Sequence, residues 1–311
     1  MAKCAFIFPG QGSQHVGMGK NLAEKYAQAR SVFEEADEVL GYNLSSIIFE
    51  GDEKELRRTE ITQPAIMTTS IAVMETLKTK NLQPEAVAGL SLGEYSALVS
   101  AGVLSFKDAL LIVQERARLM QNTVPHGRGK MAAILGLKAE EVEELCHQSS
   151  SFGCVEPANY NCPGQLVVAG DKEAVEELCR LAKARKARAV FLSVSAPFHC
   201  SLLSPLVENM RALLSNTPFN RPFVPFVANI TASYLDSPEE IKQALVDQVY
   251  SPVRWEESMR LLINDGYDIF VEVGPRRVLT GFMKKISKNV ITVHVEDEET
   301  LNRLNSLLEE V

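Results

Sequence analysis

Short apolar runs alternate along the chain with longer stretches whose apolar residues recur three and four apart. This alternation predicts an α/β fold with a mainly parallel sheet. Strands are expected at residues 4–8, 86–90, 223–228, 268–273 and 290–293. Helices are expected at 19–40, 64–80, 94–101, 105–121, 205–215, 238–249, 255–265 and from 298 onward. The middle of the chain has another rhythm. From Lys130 the order is strand (MAAILGL), helix (KAEEVEELCHQ), strand (CVEPANYN), strand (GQLVVAGD), helix (KEAVEELCRLAKA) and strand (ARAVFLSVS). That β-α-β-β-α-β order belongs to a ferredoxin-like unit. The turn-rich segment Pro125-His126-Gly127-Arg128-Gly129 precedes it and suits a boundary. The expected division is an α/β core, 1–126 and 195–311, with an inserted subdomain at 127–194. A cleft between the two is a natural place for a ligand.

Composition narrows the function. The 311 residues are 46% hydrophobic and 23% charged, ordinary for a globular chain. A net charge of −8 argues against nucleic acid as a partner. The apolar run CAFIF after Lys3 is shorter than a secretion signal requires, and no run reaches membrane-spanning length. A cytoplasmic protein without membrane attachment is expected. The six cysteines are then read as free thiols. Cys146, His147, Cys154 and Cys162 lie close together, but no Cys-x-x-Cys occurs and the gaps miss zinc spacings, so no metal is expected.

The most informative segment is AVAGLSLGEYSAL at residues 86–98. A Gly-x-Ser-x-Gly at a strand-to-helix junction is a nucleophile elbow, which lifts the hydroxyl of Ser91 into the open. The amide of Leu92 then points where an oxyanion would form. A glycine-bracketed turn with an incidental serine is the plain alternative, and the strand-then-helix context favours chemistry. The glycine-rich start, FPGQGSQHVGMG, fails as a nucleotide loop. His15 replaces the third glycine of a dinucleotide fingerprint, and Met18-Gly19 stands where a phosphate loop needs Lys-Ser/Thr. What remains is a tight loop able to donate an N–H.

Two charged or titratable residues stand out. On the helix that opens with Ser105 and Asp108, the apolar stripe runs Ala109, Ile112, Val113, Ala117, Met120. Arg116 falls on that stripe, and a guanidinium aimed at the core must be paired. A structural salt bridge and a bidentate clamp for a substrate carboxylate are both open. His199 sits in SAPFHC where the chain returns from the subdomain to the core, C-terminal to the serine elbow, and is the candidate base. Asn159 opens NYNCPGQ, a candidate wall of the substrate site that a plain hairpin explains equally well. Glu272-Val273-Gly274-Pro275 ends a buried-looking strand and is open to the same two readings.

Together these pieces are similar to the malonyl-CoA:acyl carrier protein transacylase family. The likeness covers the whole chain: FPGQGSQ at 8–14, TQPAI at 62–66, GLSLGEYSAL at 89–98, QERARLM at 114–120, NYNCPGQLVVAG at 159–170, APFHC at 196–200, QVYSPVRW at 248–255 and EVGPRRVLTGF at 272–282. The resemblance implies that Ser91 is the nucleophile, His199 the base and Arg116 the carboxylate clamp. It further implies that Gln11 and Leu92 supply the oxyanion N–H groups and that the main-chain carbonyl of Gln248 orients the histidine. The fold it implies is a hydrolase-like α/β core with a ferredoxin-like insertion, and no cofactor is implied. The implied partners are malonyl-CoA and an acyl carrier protein, and the chain is expected to act as a monomer. Three residues depart from the family pattern: Leu90 where His is common, Arg276 where Gly is usual, and Cys200 where Ser is common. The basic clusters at residues 180–188 and 276–285 are candidate docking points for an acidic carrier. A carrier thioesterase, or a carrier-binding module without chemistry, is the alternative. Arg116 opposes the first, and the intact Ser91 and His199 oppose the second.

Overall fold

The computed structural model describes residues 3–125, 127–194 and 196–310. His126 and Ser195, expected at the two junctions of the inserted unit, lie outside the described residues. The strands described are β1 (Lys3–Phe8), β2 (Ala86–Gly89), β3 (Gly129–Leu135), β4 (Val155–Cys162), β5 (Gln165–Asp171), β6 (Arg188–Phe191), β7 (Phe226–Val227), β8 (Tyr267–Val273) and β9 (Ile291–Val295). They form two sheets.

The first sheet has the order β7-β2-β1-β8-β9, and every pairing in it is parallel. Its central strands are buried on both faces, which explains why they read as continuous apolar runs. Phe6 and Phe8 face the larger core with Val87 and Val271, whereas Ala5 and Ile7 face a second cluster around Trp255, Met259 and Phe270. The second sheet has the order β4-β5-β3-β6 and is antiparallel throughout. With helices Ala139–Ser149 and Lys172–Ala184 it completes the ferredoxin-like order. In β3 and β5 the two faces alternate. Ala132, Ile134, Leu166 and Val168 face those two helices, while Met131, Ala133, Val167 and Ala169 face the core of the main sheet. The two sheets therefore share a core. Backbone bonds reinforce the join: Tyr160 N–H donates to Val253 O at 2.9 Å, and Val253 N–H to Ala158 O at 2.9 Å.

Several elements differ from expectation for local reasons. The helix expected at 19–40 is two, Lys20–Lys25 and Ala27–Leu40, because Tyr26 is extended. Arg30 holds the break by donating from its side chain to Ala23 O (3.1 Å) and Glu24 O (3.0 Å), the last carbonyls of the first helix. The strand expected at 223–228 shrinks to Phe226–Val227, since Pro222 and Pro225 have no N–H to give a ladder. The helix expected from Pro64 begins at Thr59, with Pro64 inside it. Helices Leu44–Glu50, Glu53–Leu56 and Val278–Ile286 were not expected at all. Among the described residues, no helix is long and apolar enough to cross a membrane.

The helix Gly93–Ser100 starts directly against the end of β1. A Cβ at Gly93 would stand 2.1 Å from the carbonyl oxygen of Phe8, which is strand backbone with no freedom to retreat. Gly93→Ala is therefore expected to lower the unfolding free energy by at least about 1–3 kcal/mol, the usual cost of overpacking. Chemical denaturation reads this as a lower midpoint, and an unchanged midpoint contradicts the close approach.

Candidate active site

Ser91 occupies the turn between β2 and helix Gly93–Ser100 with φ +54°, a left-handed conformation that costs a non-glycine residue energy. Asn229 holds it there. Ser91 N–H donates to Asn229 Oδ1 at 2.7 Å, and Asn229 Nδ2 donates to Gly89 O at 2.6 Å on the other side of the turn. Asn229 N–H in turn donates to Glu94 Oε1 at 2.9 Å. Asn229 and Glu94 are each 1% exposed, so these bonds form away from water, where breaking one is costly.

His199, like Ser91, holds left-handed backbone, with φ +61°. Its N–H donates to Val249 O at 3.2 Å, and its ring Nδ1 lies 2.7 Å from Gln248 O. A carbonyl only accepts, so Nδ1 carries the hydrogen and the Nε2 lone pair faces outward. Nε2 stands 2.6 Å from Ser91 Oγ. Burial, and then the charge of Arg116, push His199 down to about 3. The imidazole is neutral at physiological pH, which is the form able to accept a proton.

Arg116, on helix Phe106–Thr123, is wholly buried. Its NH1 donates to Gln63 Oε1 at 2.7 Å, and its NH2 to Gln248 Oε1 at 2.8 Å and Ser91 Oγ at 3.2 Å. The guanidinium carbon lies 5.5 Å from the centre of the Tyr95 ring. No direct salt bridge to Arg116 forms among the described residues, and its Nε has no hydrogen-bond partner. The salt bridge that the stripe alone left open is therefore not what holds it. Glu94 approaches through Gln248, whose Nε2 donates to Glu94 Oε2 and, at 3.0 Å, to Ser91 O. Burial pushes Glu94 up to about 7, against the N–H of Asn229, the Gln248 amide and the charge of Arg116.

Of the two expected oxyanion donors, Leu92 follows the serine in the chain, and Gln11 lies on the loop after β1. Gln11 follows Gly10, where a Cβ would stand 2.5 Å from Leu90 O, so this loop is pressed against the elbow. Neither Gln11 N–H nor Leu92 N–H donates to another group among the described residues. Asn159 lies on β4, 8% exposed, and no hydrogen bond joins it to Ser91, His199 or Arg116. Its segment makes the β4–β5 hairpin, with Cys162 paired to Gln165. Glu272 serves structure: its carboxylate accepts from Leu279 N–H (2.9 Å) and Thr280 N–H (2.7 Å), the free amides at the start of helix Val278–Ile286. Of the basic clusters, Arg180 pairs with Glu177 and Arg185 with Glu144. Exposed Arg276 and Arg277 line a cleft of about 500 Å³ with His294 and Arg303.

Sequence reasoning missed Gln63, Glu94 and Asn229. Gln63 sits in TQPAI and Glu94 in GLSLGEYSAL, so both lay inside segments already singled out. Asn229 carried no signal, because its role depends on contact with Ser91 across 138 residues.

The chain is similar over nearly its whole length to known proteins. A family model described as an acyl transferase domain matches residues 5–304. The chain is 46% identical over 312 residues to the malonyl CoA-acyl carrier protein transacylase of Bacillus subtilis (strain 168), covering 100% of this chain and 98% of that protein. It is 42% identical to the protein of the same name from Haemophilus influenzae, covering 99% of this chain and 100% of that protein. Among solved structures, an acyl carrier protein S-malonyltransferase from Vibrio cholerae superposes with a TM-score of 0.94 at 43% identity, covering 97% of this chain and 100% of that one. A malonyl-transacylase solved in complex with a type II polyketide acyl-carrier protein gives a TM-score of 0.95 at 42% identity, covering 97% of this chain and 98% of that one.

The depressed histidine has a direct test. Its folded-state value lies below the unfolded value of 6.5, so its contribution to stability is complete above 6.5 and is lost as pH falls toward 3. The ring resonances of His199 should stay flat between about pH 8 and 5, and Arg116→Ala should raise the titration midpoint. A wild-type midpoint near 6.5 contradicts the buried neutral ring.

Proposed function

The chain belongs to the acyl transferase domain family, and from that premise we propose that it moves a malonyl group from malonyl-CoA to the thiol of an acyl carrier protein. The observation that carries the proposal is the convergence on Ser91 Oγ of His199 Nε2 at 2.6 Å and the buried Arg116 NH2 at 3.2 Å. A base and a buried cation meeting at one hydroxyl suit acyl transfer from a substrate that carries its own carboxylate.

In this reading Ser91 Oγ attacks the thioester carbonyl while its proton passes to His199 Nε2. The Gln248 carbonyl steadies the resulting imidazolium through Nδ1–H, so no third acidic residue is needed. The N–H groups of Leu92 and Gln11 receive the oxyanion, a kind of contact worth about 10²–10³ in rate per donor. The C–S bond then breaks, and the CoA thiolate takes the proton from His199. The carrier thiol attacks the acyl-Ser91 ester by the same steps in reverse. Arg116 binds the malonyl carboxylate, and Gln63 and Gln248 aim it. A monocarboxylic acyl chain gives that cation no partner, which sets the proposal apart from a general thioesterase.

The division at 127–194 belongs to this reading. It is supported by the separate apolar cluster that β3–β6 form with their own two helices. We place the reaction in the cytoplasm, which six free thiols support. Exposed Arg276 and Arg277 follow Gly274, where a Cβ would come within 3.0 Å of Pro9, and they would offer the acidic carrier positive charge near the oxyanion loop.

Incubation with malonyl-CoA is expected to add one malonyl mass to the intact protein, mapping to the Ser91 peptide, and holo-carrier should remove it with gain of malonyl on the carrier thiol. An equal adduct on Ser91→Ala, or discharge to water alone in the presence of carrier, overturns the proposal.

A further inference from the structure

We propose that Glu94 is a positioning residue for acyl selectivity, acting by fixing which way the amide of Gln248 faces. The inference rests on the reading of Arg116 as the clamp for the malonyl carboxylate. The Gln248 side chain is fully buried and has two unlike ends. Its oxygen accepts from Arg116 NH2 at 2.8 Å. Its nitrogen faces acceptors only: Glu94 Oε2, Ser91 O at 3.0 Å and, more distantly, Asn229 Oδ1 at 3.5 Å. A flipped amide would set its N–H groups against the N–H groups of Arg116 and its oxygen against a carboxylate. Glu94 is the carboxyl member of that acceptor set, and with both its oxygens accepting it holds the amide in this orientation.

Both Glu94 oxygens are in use, Oε1 by Asn229 N–H and Oε2 by Gln248 Nε2. An amide at position 94 can accept with only one atom, so even the isosteric Gln leaves one buried bond unmade. Gln248 also touches the base, but through its main-chain carbonyl, which is independent of the side-chain orientation. Glu94 should therefore govern the clamp and not His199. A merely structural Glu94, needed only to keep the elbow in shape, would lower acylation by every acyl-CoA alike.

The test is single-turnover acylation of Ser91, followed by intact mass, with malonyl-CoA and acetyl-CoA in parallel. In Glu94→Gln the malonyl-to-acetyl rate ratio is expected to fall roughly ten- to hundredfold, the factor that one unsatisfied buried polar group carries. Gln248→Met keeps the main-chain carbonyl and removes the amide, and should lower the ratio similarly. The double variant should show no further fall, since both changes break one relay. If Glu94→Gln does not fold, Glu94→Asp withdraws the carboxylate from Gln248 by one methylene and should shift the ratio in the same direction. A wild-type ratio in the folded position-94 variant, or fully additive losses in the double, overturns the role of Glu94. A wild-type enzyme that forms no acyl-Ser91 with malonyl-CoA refutes the functional reading instead, and the two failures are distinct.

Discussion

A fully buried guanidinium, with no direct salt bridge among the described residues, is the constraint around which this molecule is arranged. Taking Arg116 out of water is expensive, and a neighbouring carboxylate would be the usual compensation. Here neutral amides do the work instead, Gln63 from helix Thr59–Lys78 and Gln248 from the end of helix Pro238–Gln248. Three helices from distant parts of the chain thus converge on one cation. The carboxyl of Glu94 is kept one side chain away, behind Gln248, so no acidic group meets the cation directly. An incoming carboxylate can then complete a pair that the protein leaves unfinished.

The proposed catalytic pair is built on the same contacts. Ser91 and His199 both hold left-handed backbone, strain of about 1–3 kcal/mol each that persists only where the surroundings over-determine it. Asn229 supplies that determination for the elbow, and the Gln248–Val249 carbonyls supply it for the histidine. Both residues lie at the carboxyl end of the parallel sheet, where strand ends open into loops that need not repack the core. Gln248 links the halves, its main chain holding His199 and its side chain holding Arg116.

The parts of this design that depend on neighbouring residues were legible in the sequence. The elbow showed as a strand, a glycine-bracketed serine and a helix. Arg116 showed because a charge on an apolar stripe is conspicuous, and that face is indeed buried. The β-α-β-β-α-β order could be read because its elements are periodic, although the last strand, expected over ARAVFLSVS, is only Arg188–Phe191. What stayed hidden depends on contacts between distant segments. Asn229 looks like any loop asparagine until the fold brings it to Ser91, and Glu94 reads as an ordinary acidic residue in a first helical turn. Tyr26 breaks a helix whose pattern runs straight through it, because Arg30 folds back onto the preceding carbonyls. Glu272 ends a strand in a way that suggests chemistry, yet its carboxylate is occupied by the amides of a helix the pattern did not reveal.

The most direct test of the central constraint is to remove the cation and measure Ser91 acylation by two substrates. Arg116→Ala should lose malonyl transfer by about 3–5 kcal/mol, the cost of breaking a buried charge pair. Acetyl transfer should fall far less or rise, because an acetyl group has no carboxylate to lose. Equal losses with malonyl-CoA and acetyl-CoA would mean that Arg116 only holds the fold together.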